Sequence, residues 1–157
     1  MKTNFVLTIT LGALFGFCVA QETNQQPIPN VPEQTQKQAL QGTWIAQSIE
    51  TSGNQVPPED SKRLRFTFKG DHLLISGNTS FNKEEDCTYK VDATKSPKQL
   101  EFTPPKEEKP VLGIYEVSGD DLKICFRHAS SADGRPTEFR TVKDSNLVLV
   151  VFKRVTP

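Results

Sequence analysis

The sequence predicts an all-β fold, an antiparallel up-and-down barrel of eight strands with one short helical turn. Three observations carry that prediction. Downstream of Leu40, apolar residues recur at every second position. Turn residues interrupt this alternation at short intervals. No interior segment holds a 3.6-residue period for more than two turns.

The N-terminal twenty residues read as an export signal. Lys2 is the only charge ahead of an apolar run over 5–17, and Cys18-Val19-Ala20 supplies the small residues of a cleavage site after Ala20. The run is shorter than the ~20 residues that cross a bilayer as a helix. A lipoprotein signal is the rival reading, because Cys18 follows an apolar run. Such signals need a small residue immediately before the Cys, and Phe17 is bulky. The expected product is periplasmic or extracellular, with no membrane span after cleavage. Residues 21–38 hold six Gln and three Pro, with Ile28 and Val31 as the only bulky aliphatics, and are expected to form a disordered tether. The barrel domain is expected over 39–157.

Strands are expected over 43–51, 64–69, 72–77, 86–92, 98–103, 111–117, 121–127 and 146–154. Leu64, Phe66 and Phe68 alternate with Arg63, Arg65 and Lys69, and Leu122, Ile124 and Phe126 with Lys123, Cys125 and Arg127. Tyr89 and Val91 alternate with Lys90 and Asp92, while Leu100 and Phe102 flank Glu101. Segments 111–117 and 147–152 are apolar on both faces, so something should cover their outer side: a loop, a helix or a partner. Gly70-Asp71, Gly119-Asp120-Asp121 and Asp144-Ser145-Asn146 supply turns. Residues 58–63, opening on Pro58, Glu59 and Asp60, form the helical turn. Short connections favour a meander, as a barrel or a sandwich, and closure into a barrel removes exposed strand edges.

At 157 residues the chain makes one domain, and its 19 Lys plus Arg balance 19 Asp plus Glu. That balance leaves no positive field to hold a phosphate backbone, so nucleic acid is not an expected partner.

Leu40-Gln41-Gly42-Thr43-Trp44 opens the first strand, and its Gly-x-Trp resembles the lipocalin-type start. That resemblance implies that Trp44 plugs one end of the barrel and that a late arginine, here Arg154, packs across it. Further segments agree in order: Leu64 to Gly70, Tyr89 to Asp92, Leu112 to Glu116, Leu122 to Phe126, Arg135 to Phe139, and the closing Leu149 to Arg154. As a set, over about residues 39–154, they look like a family of small, exported, uncharacterised lipocalin-like domains abundant in planctomycete bacteria. The resemblance implies fold and export, and it brings no functional residues.

The residues offer little reactive chemistry. Hydrolase elbows, metalloprotease helices and phosphate loops are absent from the sequence, and no cofactor or enzymatic activity is expected. His72, His128, Cys87 and Cys125 lack metal-ligand spacing, and the acidic runs at 84–86 and 107–108 read as solvated loops. Cys87 shares the face of Tyr89, whereas Cys125 lies opposite Ile124 and Phe126. In regular strands the two thiols would face opposite sides of the wall; a bulge would let them form a disulfide. Asn78-Thr79-Ser80 matches a glycosylation sequon.

The expected inward set is Trp44, Leu64, Phe66, Phe68, Leu73, Ile75, Tyr89, Val91, Leu100, Phe102, Leu122, Ile124 and Phe126. Two functions follow from it. A hollow lumen would bind a small hydrophobic ligand against Phe66, Phe68, Tyr89, Phe102 and Phe126, with Arg127, Arg135 and Glu138 as a polar set at the rim. A solid lumen would leave a structural domain that meets a protein partner through its outer surface. A monomer is expected in either case.

Overall fold

The structure, a computed structural model, describes residues 31–77, 84–127 and 134–156. The signal peptide, residues 21–30 of the expected tether, the sequon at 78–80 and His128 lie outside the described residues. The chain begins with helix α1 (Val31–Leu40), followed by β1 (Gly42–Thr51) and a two-residue strand β2 (Asn54–Gln55). Next come one helical turn α2 (Pro58–Ser61), β3 (Arg65–Lys69), β4 (His72–Ser76) and β5 (Glu85–Asp92). The chain continues through β6 (Lys98–Thr103), β7 (Val111–Ser118), β8 (Asp121–Arg127) and β9 (Leu147–Arg154).

Apart from β2, which pairs only with the end of β1, consecutive strands pair antiparallel, and β9 returns to pair with β1. Eight strands thus close into the expected up-and-down barrel, with β2 as a small appendage. Closure bends β1 through a register shift between Ala46 and Ser48. Between the second half of β1 and the start of β3 the wall is completed by single bonds, from the Ala46 N–H to the Leu64 carbonyl and from the Val56 N–H to the Ile49 carbonyl. Under that gap α2 buries Ser61, whose hydroxyl donates to the Val56 carbonyl at 3.3 Å. Gly77 ends β4 with φ +77°, and a Cβ there would lie 1.8 Å from the Arg63 carbonyl oxygen, so only glycine fits.

The whole expected inward set is in the core, Phe126 packing against it from a half-buried position. Val111, Tyr115, Val148, Val150 and Phe152 join them from the two strands that are apolar on both sides. Neighbouring positions on those strands face outward, and period two alone does not say which parity is inside.

Residues 31–38 correct the expected tether. They form most of α1, with Glu33 and Lys37 in ion-pair reach at 3.7 Å one turn apart. Leu40, at the helix end, is fully buried and anchors it to the barrel. Lys37 reaches Asp71 at 2.8 Å, and Lys98 donates to the Gln36 side chain at 2.8 Å. Low apolar content did not prevent folding here, because the helix sits on a ready-made surface instead of having to build its own core. Among the described residues no helix is long and apolar enough to cross a membrane.

Candidate functional site

Two places hold the residues singled out above: the lumen with its Trp44 end, and the outer wall of β6–β9.

The Trp44 end is built from three directions. Gly42 takes φ +109°, which turns the chain out of α1 into β1, and a Cβ on it would sit 3.3 Å from Arg154 Nη1. Trp44 is fully buried and donates its indole N–H to the Leu40 carbonyl at 2.8 Å. Arg154 lies over the indole with its guanidinium carbon 4.1 Å from the ring centroid. The same guanidinium donates to the Ala39 carbonyl at 2.7 Å and to the Gln41 carbonyl, and approaches Asp120 at 3.4 Å. The last two carbonyls of α1, Ala39 and Leu40, are therefore satisfied by side chains of the last and first strands respectively. Beside them Tyr89 donates to the Gly70 carbonyl at 3.0 Å and Gln41 donates to the Tyr89 oxygen at 3.0 Å.

Above Trp44 the aromatic residues meet one another. Phe66 contacts Phe68, Phe102 and Phe152 with ring centroids 6.5, 6.4 and 4.8 Å away. Phe68 stands edge-on to Tyr89 at 5.0 Å, and Phe102 edge-on to Phe126 at 5.6 Å. Tilted and edge-to-face pairs of this kind are favourable in their own right. All five aromatic residues expected to line a ligand are thus brought together, ring against ring.

Arg127, Arg135 and Glu138 are placed elsewhere. Residues 134–146, between β8 and β9, form a strap on the outside of the wall. Together with Pro136, Thr137, Arg140, Val142 and Leu147 those three line a shallow depression of about 140 Å³. They do not pair with one another in it. Arg127 donates to the carbonyls of Gly134 and Ser145, both at 2.8 Å, and so clamps the two ends of the strap. Arg135 donates to the carbonyls of Leu100 and Gly113 and to the carboxylate of Glu101. Glu138 pairs with Arg140 at 2.7 Å, and Phe139 lies under Lys123 at 5.6 Å. A larger depression, about 430 Å³, lies between α1 and the outer side of β5–β6; Glu33, Lys90, Asp92, Thr94, Gln99 and Glu101 contribute to its lining.

The reactive groups are held in their quiet forms. Burial pushes the Cys87 thiol up to about 12, assisted by Glu85 and Asp86, and the Cys125 thiol up to about 11. Both cysteines are free and buried; Cys87 belongs to the core, and Cys125 faces outward beneath the strap. Burial also raises the Tyr115 hydroxyl to about 12. Its oxygen is the one buried side-chain polar atom without a hydrogen-bond partner among the described residues. An activated nucleophile or general base needs a pKa moved toward neutrality, and these shifts run the other way. Among the described residues no three His, Cys, Asp or Glu side chains converge as a metal site.

Sequence reasoning missed α1, Ala39 and Gln41 as partners of Arg154, and Thr141 as a strap anchor. Pro32-Glu33, followed by Lys37 one turn on and Ala39-Leu40 before a glycine, was the available signal for the helix.

The geometry defines a class, a closed up-and-down β-barrel sealed at one end by a stacked Trp–Arg pair and a helix. No family model, curated protein or solved structure matches the chain.

Proposed function

We propose that the chain is an exported interaction domain of lipocalin-like type, its lumen a solid structural core and its outer surface the part that meets a protein partner. The observation that carries this reading is the occupancy of the lumen: Phe66 touches three other phenylalanines, above a fully buried Trp44. A barrel of eight strands is just wide enough for side chains to fill it. The quiet thiols and hydroxyls agree with a binding role over a catalytic one. Export through cleavage after Ala20, action as a monomer, and kinship with the planctomycete lipocalin-like domains belong to the same proposal.

Titrating the purified mature protein with a hydrophobic fluorophore tests it. No saturable one-to-one uptake is expected. Uptake that saturates at one equivalent and is displaced by a fatty acid would establish the hollow-barrel reading instead. Phe66→Ala serves as the positive control, because a cavity lined by the remaining rings should take up benzene. In the exporting cell the mature chain should begin at Gln21, and photocrosslinkers at outward-facing Leu112 or Lys123 should trap a protein. A chain that keeps Met1, or crosslinkers that trap nothing, would count against export or against partnership respectively.

A further inference from the structure

We infer that residues 134–146 are a latch that opens as a unit while the barrel stays closed. The latch follows one cross-strand row. Gln99 pairs with Ile114, Ile114 with Cys125, Cys125 with Leu149 and Leu149 with Glu50, so these five residues cross the outer wall from β6 to β1. The strap lies along that row. Arg135 is fastened at the β6–β7 end, to the Leu100 and Gly113 carbonyls and Glu101. Midway, the Cys125 thiol points at the Arg140 carbonyl, 3.9 Å away. At the far end Thr141 donates to Glu50 and accepts the Gly53 N–H at 2.9 Å. Beneath it Ile114 and Cys125 are 1% and 0% exposed although both face away from the lumen.

What holds the strap differs in kind from what holds the wall. It contributes no strand, and its fastenings are side-chain bonds at its two ends. Only Pro136 and Thr141 are buried within it, while Glu138, Arg140 and Val142 stand in solvent. Segments with few buried apolar contacts and no backbone ladder open at lower free energy than the sheet they cover. The two buried thiols report on the two layers separately, since Cys125 needs only the strap to lift and Cys87 needs the core to open. The inference does not depend on whether the lumen takes a ligand.

The test is thiol alkylation of the folded mature protein at pH 8, with each cysteine followed by peptide mass spectrometry. Cys125 is expected to react at least tenfold faster than Cys87. Arg135→Ala should accelerate Cys125 about tenfold further and leave Cys87 unchanged. Thr141→Val, which keeps the side-chain shape and removes only the hydroxyl, should act in the same direction and stands in if the arginine variant does not fold. Equal rates at the two cysteines would overturn the latch, because exposure would then require global unfolding. So would a Cys125 rate indifferent to both substitutions.

Discussion

The Trp44 end and the strap each close a face of the barrel, and they do so by different means. At the Trp44 end a buried indole, a stacked guanidinium and three α1-region carbonyls share one interface, so that apolar burial and hydrogen bonding protect the same few atoms. Across the outer wall the polar fastenings of the strap are spread over a row of strands, and solvent reaches much of the segment between them. At the Trp44 end the hydrogen bonds are backed by the packing of a fully buried indole, whereas the strap adds little apolar burial to its part-buried fastenings. One region is built to stay shut and the other to move.

Substitutions at the two regions should separate them. Trp44→Ala should have the largest effect, a loss of about 3–5 kcal/mol in chemical denaturation, with cooperative unfolding of strands and α1 together. A loss below about 1 kcal/mol would remove the indole from its central role. Arg154→Ala should cost about 2–3 kcal/mol, combining the lost stacking with carbonyls left without their donor. Arg154→Lys should recover little of it, because an ammonium cannot stack and donate in two directions at once. Thr141→Val should cost about 1 kcal/mol at most in global stability, while hydrogen exchange over 134–146 accelerates and that of β8 and β9 does not.

The smallest effect belongs to the surface pair Lys37–Asp71, where Lys37→Met should cost less than about 1 kcal/mol. Its pH dependence is specific. The Lys37 ammonium holds Asp71 below its ordinary 3.8, so this contribution is complete above that value and fades as pH falls through the lower folded one. The hydrogen bond to Asp71 raises Lys37 above 10.5, so the contribution is complete below 10.5 and fades as pH rises through the higher folded value. Parent and variant should therefore differ by a constant amount between about pH 5 and 9.5 and converge at both extremes.

The parts legible in the sequence are those where one residue's neighbours settle its place. Alternation of Leu64, Phe66 and Phe68 with charged residues marks both strand and face, and these side chains are in the core. Val148, Val150 and Phe152 were legible as strand but not as face, since both sides of β9 are apolar. Helix α1 escaped notice because a helix that buries chiefly Leu40 leaves no apolar period to read. The strap is illegible for another reason. Arg135 meets Glu101 across 34 positions and Thr141 meets Glu50 across 91, and no local pattern encodes such pairings. The expected rim set drew Arg127, Arg135 and Glu138 together, and these residues line one shallow depression. It put them at the mouth of the lumen when they lie on its outer wall.

Helix α1 enters and β9 leaves at the same pole, with Ala39 bonded to Arg154. A short linker could therefore join residues 154 and 31, given a helix of ten residues about 15 Å long. Cutting the exposed connection between Glu107 and Glu108 would then place new ends at the opposite pole. Such a circular permutant should keep every strand neighbour it now has. Anything fused to it would hang from the other side of the molecule.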